Sequence, residues 1–445
     1  MKEDAFIVKG GTKLTGDVFL SGSKNVALKV VIAALMVDGP VLLGNIPHIK
    51  DIEELLHLLK DLGVTHEFMD KNTLKIDASN LHNDTVDLLY ASKIRVSFML
   101  FAPLLYRLKK AHIPNPGGCR IGARSIDRTI DVLKSFGVDV EYISKTGYYD
   151  SSLENSYRAT EYRFEKKTHT GTELAILLGV CAQGRSVIEN AAEEPEINTV
   201  IEFLNKCGGK ITRARNSIII DGVSKLVPPN KKFEITFDRN EAVTYAVFAL
   251  ATKGDVKIYG ASPRELGNFI EKVREAGGGI DEEKKYIRFY FKKQLAQTHI
   301  VTSAHPGFMT DWQAPWAVLM TQARGVSTIH ETVFENRFGY VAQLAKMGAQ
   351  IVYKKPIVED PVKTYQFNIT KRNWIDTRQQ IEITGNVPLH NAALKVSDMR
   401  AGASLIVAAL IARGESVIVG ASTIDRGYED IVGKLTRLGA KIKRV

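Results

Sequence analysis

The feature that most constrains how this chain folds is a motif that occurs six times. Each copy is an apolar-periodic run, then glycine, then an alternating segment: HLLKDLGVTHEF, DVLKSFGVDVEY, EFLNKCGGKITR, EKVREAGGGIDE, AQLAKMGAQIVY and GKLTRLGAKIKR. The key glycines are Gly63, Gly137, Gly208, Gly277, Gly348 and Gly439, at intervals of 74, 71, 69, 71 and 91. Apolar residues three and four apart predict a helix with one buried face. The glycine supplies the left-handed residue that ends it, and a period-two strand follows.

A second pattern leads each copy by about 25 residues. It is a small-and-apolar helix, a turn and a strand: AALMVDGPVLLGN, LLGVCAQGRSVIEN, FALATKGDVKIYGA, VLMTQARGVSTIHE and AALIARGESVIVGA, with LLYRLKKAHIPNP as the copy lacking glycine. These helices are too apolar to face water, whereas many strands alternate. The efficient arrangement buries the helices together and packs sheets around them. The spacing predicts two groups of three repeats, 23–236 and the remainder, with PPNKK at 228–232 as a crossing point and residues 1–22 left with the first group. The long last interval predicts an extended hairpin on the rim at 356–385. A six-repeat solenoid is the rival architecture, but no clear caps appear.

Composition enters mainly by exclusion. Of 445 residues, 60 are Lys or Arg and 50 Asp or Glu, giving a net charge of +10 without a long basic run. That argues against a nucleic-acid partner and fits focused arginines for a small anion. Cys119, Cys181 and Cys207 match no zinc spacing and no disulfide framework, which points to a reducing cytoplasm and no metal. The start, MKEDAFIVKGG, has no apolar signal segment. The most apolar stretch, 96–106, is too short to span a bilayer and reads as a buried helix, so no membrane partner is expected.

Repeats that only held the fold would carry interchangeable turns, and these do not. SGSKN places Lys24 and Asn25 at a helix start, where a cation is poorly placed unless an anion shares the site; a solvated lysine is the plain alternative. SKIRVSF (92–98) sets Arg95 inside an apolar helix, paired or pointing into a cleft. NPGGCRIGARSIDR joins two glycines, Cys119, Arg120 and Arg124, a setting that lowers a thiol pKa, with Asp127 as a further acid or a plain helix cap. In the second half, TDWQ supplies Asp311, ETVFENRF supplies Glu331, Glu335, Asn336 and Arg337, SDMRAGAS supplies Asp398 and Arg400, and IDRGYED supplies Asp425 and Arg426. An acid beside aromatic surface suits a general base for a sugar hydroxyl. Arginines with one lysine suit an anion bearing phosphate and carboxylate. Residue reasoning alone reaches a transferase or lyase acting on a charged substrate in a closing cleft between two domains.

The segments KLTGDVFLSGSKNVAL, NPGGCRIGAR, ENAAEEPEI, TDWQ, ETVFENRF, SDMRAGASL and IDRGYE resemble the enolpyruvyl transferases along the whole chain. Within them the chain is most similar to the UDP-N-acetylglucosamine 1-carboxyvinyltransferases. The resemblance implies an α/β fold, a two-domain inside-out α/β barrel with three βαβαββ repeats per domain around buried helices. It implies domains of 23–236 and of 1–22 with 237–445. It implies transfer of the enolpyruvyl group of phosphoenolpyruvate to the 3′-hydroxyl of UDP-N-acetylglucosamine by addition and elimination, opening peptidoglycan precursor synthesis. The enzyme would be a cytoplasmic monomer without a cofactor.

By the same resemblance, Lys24, Arg124 and Arg400 hold phosphoenolpyruvate, and Arg95 and Arg337 shape the cationic site. Cys119 is a proton donor on a mobile loop and the residue that fosfomycin alkylates. Asp311 is the base. Asn25 and Glu193 orient the sugar, and Ser125, Ile126 and Asp127 contact the uracil. The family's nucleotide-gripping turn corresponds here to KKTHTGTEL (166–174), which keeps Thr170 and Gly171 but departs in context; DRTID and DRNEAV also depart. These differences leave open UMP or another nucleotide as acceptor. An inactive regulatory paralogue is the other alternative, although Cys119, Asp311 and Arg400 are all in place.

Overall fold

A computed structural model describes residues 4–445 except 119–120, 123–125, 215 and 370–377. The chain divides into two compact units. The N-terminal unit comprises Gly22–Gly118 and Ser125–Thr236; the C-terminal unit comprises Met1–Ser21, Cys119–Arg124 and Phe237–Val445. Each has its own apolar core.

The core of the C-terminal unit is three helices, Arg239–Ala251, Gln313–Thr321 and Met399–Ile411. Every residue of the first two is buried, and of the third all but the last. The three pack on one another. No face of them is polar, so each must be covered all round. In the N-terminal unit the corresponding elements are Lys24–Ala34, His169–Val180 and a 3₁₀ turn Arg95–Leu100 running into the helix Phe101–Leu108. Six amphipathic helices follow the buried ones: Lys50–Asp61, Asp127–Ser135, Pro195–Lys206, Pro263–Ala276, Val341–Lys346 and Ile431–Arg437.

All six predicted terminating glycines adopt left-handed backbone, with φ between 83° and 97°. The repeat without a glycine in its first turn uses Lys109 instead, at φ 64°. The 253–254 turn likewise places Lys253, not its neighbouring glycine, at positive φ, 54°. The motif thus reports a backbone conformation that glycine adopts most readily.

The described residues form six sheets, five of four strands and one of three. They share one order: a lead strand parallel to the next, then an antiparallel strand, then an antiparallel edge. Phe233–Glu234 leads the first sheet beside Val41–Gly44. Thr15–Phe19 leads another, parallel to Asp255–Tyr259. Ala5–Lys9 lies between Glu415–Val419 and Lys441–Arg444 and is antiparallel to both. Its residues Phe6 and Val8 face inward with Ile418. Residues 5–19 therefore complete sheets of the C-terminal unit, which corrects the residue-based expectation that 1–22 stay with the first group. In the three-stranded sheet an isolated bridge, Thr85 with His112, occupies the lead position.

Three further expectations are corrected. The apolar helix across 92–98 is interrupted: Leu88–Lys93 stops, Ile94 is extended, and Arg95 opens the 3₁₀ turn. The buried Ser97 hydroxyl donates to the Ile94 carbonyl at 2.9 Å, supporting the break. The 228–232 segment is not the crossing, because Phe233–Glu234 still pairs in the N-terminal unit. The 356–385 segment is not simply a rim hairpin, since Gln380–Thr384 is an inner strand bonded to both Val326–His330 and Gln350–Lys354. The described part of the excess holds a short helix, Pro361–Thr364, capped by Asp360. No helix among the described residues is long and apolar enough to cross a membrane.

Gly63 and Gly208 separate two costs. A Cβ at Gly208 meets nothing within 4 Å, whereas at Gly63 it falls 2.4 Å from the Asn80 carbonyl. Gly208→Ala should lose about 1 kcal/mol, the left-handed penalty alone, and Gly63→Ala roughly 2–3 kcal/mol, because backbone must also move. Denaturation midpoints check this; equal losses would rule out the steric contribution at Gly63.

Candidate active site

Several of the polar residues singled out in the sequence lie at or beside the starts of the buried helices of their own unit. In the C-terminal unit, Asp311 lies in the short 3₁₀ turn Thr310–Trp312 that enters the helix Gln313–Thr321. Its Oδ1 accepts from Arg337 Nη2 at 2.6 Å, and its Oδ2 is 3.5 Å from Arg400 Nε. Both arginines are buried, while the Asp311 side chain remains 28% exposed. The carboxylate is thus the accessible member of a cluster whose cations sit behind it.

Each arginine has a reason for its position. Asp398 caps the helix Met399–Ile411, accepting from the N–H groups of Arg400 and Ala401 at 3.1 Å each. Arg400 leaves from that first turn and lies over the Tyr428 ring, 5.1 Å from its centre. Tyr428 in turn shares a 2.8 Å hydrogen bond with Thr244. Burial works against the charge on Arg400, but Tyr428, Asp311 and Asp238 more than offset it, so its proton is held more tightly than usual. Its Nε and Nη1 have no hydrogen-bond partner among the described residues. A cation buried at a helix start, with two nitrogens lacking a hydrogen bond, can receive an anion.

Arg337 comes from the loop after Val326–His330. It donates through Nε to the Thr310 hydroxyl and through Nη2 to the Thr310 carbonyl, each at 3.2 Å. Its Nη1 is 3.8 Å from Asp398. The loop is shaped by Glu331, wholly buried, whose Oε1 accepts from the N–H groups of Val333 and Phe334 at 2.7 and 3.1 Å. Burial pushes the Glu331 carboxyl up, against the opposing pull of Arg337 and these hydrogen bonds. Trp312 is fixed by its indole N–H on Asn240 Oδ1 at 2.8 Å.

In the N-terminal unit, Lys24 is the first residue of its helix, behind the Ser23 cap, and its Nζ is 2.6 Å from Asp51. Both are buried. The expectation that a cation here needs a negative partner is met within the protein. Asn25 is the one residue of that helix not buried. Gly117 and Gly118 make the expected close approach: their Cβ positions would fall 1.6 Å from the Ser92 carbonyl and 3.2 Å from Arg95 Cβ. Asp127 is the first residue of its helix and not its cap, since Ile126 holds the cap position without a side-chain bond. Thr170 and Gly171 lie in the first turn of His169–Val180, with Thr168 capping through the Gly171 N–H. Glu193 pairs with Lys167. Cys119, Arg124 and Ser125 lie outside the described residues. Cys181 and Cys207 are buried free thiols, each pushed up to about 12 by burial, which makes them poor nucleophiles.

The sequence reading missed several supports. Thr310, Tyr428 and Asn240 stand beside residues it named, inside quoted motifs, and only the tertiary structure gives them partners. It also missed a charged group beneath the 166–174 turn. Glu173, wholly buried, is 3.4 Å from Lys29 Nζ and 3.1 Å from His169 Nε2. The Glu-four-after-His spacing is the signal that was available.

The chain matches the family described as EPSP synthase (3-phosphoshikimate 1-carboxyvinyltransferase) over residues 8–435. A UDP-N-acetylglucosamine 1-carboxyvinyltransferase of Desulfatibacillum aliphaticivorans is 39% identical over 443 residues, 99% of this chain and 100% of that one. Its counterpart from Coxiella burnetii is 35% identical over 444 residues, 99% of this chain and 96% of that one. Among solved structures, the enolpyruvyl transferase NikO from Streptomyces tendae superposes with a TM-score of 0.84 at 22% identity, covering 100% of this chain and 99% of that one. The EPSP synthase from Acinetobacter baumannii gives 0.71 at 18%, covering 99% and 100%. These two share the fold, and with the family match they define the class as the enolpyruvyl transferases. Within that class, the chain belongs to the UDP-N-acetylglucosamine 1-carboxyvinyltransferase family.

The His169 group makes a pH prediction. Burial would lower its pKa, but Glu173 outweighs that and raises it. A raised histidine stabilises fully below its unfolded value of about 6.5 and loses that contribution as pH rises through the folded value. The stability difference between wild type and His169→Gln should therefore be largest below pH about 6.5 and shrink above it. Chemical denaturation across that window checks the sign; a difference that grows with pH would contradict the pairing.

Proposed function

We propose that this chain transfers the enolpyruvyl group of phosphoenolpyruvate to the 3′-hydroxyl of UDP-N-acetylglucosamine and releases phosphate, the entry into peptidoglycan precursor synthesis. The observation that carries the reading is identity of 39% along 99% of the chain to an enzyme of that name, with the Asp311–Arg337–Arg400 cluster intact. The substrates are small molecules, and the enzyme works as a cytoplasmic monomer.

In the proposed mechanism the Asp311 carboxylate takes the proton of the acceptor hydroxyl as its oxygen bonds to C2 of phosphoenolpyruvate. A proton goes to C3, with Cys119 as donor, giving a tetrahedral adduct that carries the phosphate. The Cys119 thiolate then takes a proton back from C3 as the C2–O bond to phosphate breaks, which restores the double bond and releases phosphate. Arg400, Arg337, Lys24, Arg95 and Arg124 hold phosphate and carboxylate and oppose the developing charge. Two unused donors on buried Arg400 support its part. The partial exposure of Asp311 supports its role as the group that meets the hydroxyl. Asn25, Glu193, Ser125, Ile126, Asp127, Thr170 and Gly171 select the nucleotide sugar.

The test is phosphate release from phosphoenolpyruvate with UDP-N-acetylglucosamine, with UMP and with no acceptor. Release is expected only with the sugar nucleotide, and Asp311→Asn should lower kcat by about 10²–10⁴-fold. Release with UMP alone would move the acceptor assignment to the departures at 166–174. A folded protein with no release would favour a regulatory role.

A further inference from the structure

We propose that Glu331 is a positioning residue for Asp311, acting through Thr310 and Arg337. The proposal rests on the reading in which Asp311 accepts the hydroxyl proton.

The donors run in one direction. Arg337 Nε–H donates to the Thr310 hydroxyl at 3.2 Å, and that hydroxyl donates to Glu331 Oε2 at 2.9 Å. The other oxygen, Oε1, takes the N–H groups of Val333 and Phe334. Three donors therefore converge on one side chain, and only a carboxylate accepts all three. An amide of the same shape would turn its NH₂ toward either the hydroxyl or the backbone N–H groups. Arg337, held on both oxygens of Thr310, cannot swing away from Asp311 Oδ1, 2.6 Å from its Nη2.

Glu331 thus links the two segments that the site needs in register. One carries Asp311 and the other carries Arg337. A buried carboxylate is an expensive device for stapling a loop that a neutral side chain would also hold. Its charge gives the Thr310 hydroxyl a fixed sense, which a neutral acceptor would not fix as firmly. Several charged or titratable groups face these acids. Arg337 and Tyr340 influence Glu331. Arg337 and Arg400 flank Asp311, and Asp398 lies beyond Arg337.

The experiment is the pH profile of kcat for phosphate release with both substrates, for wild type, Glu331→Gln, Thr310→Val, Thr310→Ser and Asp311→Asn. Glu331→Gln and Thr310→Val should each lower kcat by roughly 10–100-fold. KM should stay within about threefold, as expected when binding groups remain. The acidic limb should move to higher pH, because Arg337 is no longer fixed beside the carboxylate. Thr310→Ser, which keeps the hydroxyl, should behave as wild type. Wild-type-like activity in Asp311→Asn would overturn the base assignment itself. An inactive Asp311→Asn beside an unmoved limb in Glu331→Gln or Thr310→Val would overturn the positioning role alone. A lower thermal midpoint and less active enzyme, with the limb in place, would mark Glu331 as structural and overturn it too.

Discussion

Everything in this protein follows from helices that have no side fit for water. Arg239–Ala251 and Gln313–Thr321 are buried at every position. A helix of that kind cannot lie on a sheet with its back exposed; it must be enclosed. Within each unit three such elements pack with sheets around them, and the sheets alternate buried and half-buried residues, as in Asp255–Tyr259. The chain makes this enclosure from one repeated unit, then closes it with strands borrowed from elsewhere. Ala5–Lys9 completes the sheet that ends at Lys441–Arg444, and Phe233–Glu234 completes the sheet that begins at Val41–Gly44.

Enclosure also decides where chemistry is placed. The middle of a buried helix admits a charge only when it is paired, as Lys29 is with Glu173, so most charged side chains collect in the first turn. Lys24, His169, Arg239 and Arg400 all occupy first turns, and Arg95 opens the 3₁₀ turn that leads into its helix. These are the ends where the helix dipole is positive and a cation is unfavourable. Each repeat repeats the position but changes the residue, and that is how one architecture presents several different groups.

This explains what was legible in the sequence. The glycines were readable because a left-handed residue after an apolar run leaves a specific mark, and all six hold it. The buried helices were readable from composition alone. The break before Arg95 was not, because it depends on Ser97 bonding the Ile94 carbonyl and not on a proline or glycine. The strand Gln380–Thr384 was hidden by the long segment before it, which made its surroundings look like an insertion. Among site residues, Asp311, Arg337 and Arg400 stood out because charges are rare beside apolar runs. Thr310 and Tyr428 did not, because a hydroxyl is common anywhere and only its partners give it a task.

The pairing of these cations then carries an argument about function. Lys24 is matched by Asp51, and Lys29 and His169 by Glu173, each partner almost wholly buried. Removing one member of such a pair leaves an uncompensated buried charge. Asp311 differs. It faces two buried guanidinium groups with a side chain that is still 28% exposed, and Arg400 keeps two donors unused. Arg337 also has Asp398 at 3.8 Å, so acids as well as arginines make up the cluster, and Asp311 is the member that solvent reaches. Under the proposed function, an anion would meet the Arg400 nitrogens that lack a hydrogen bond, beside the carboxylate proposed as the base.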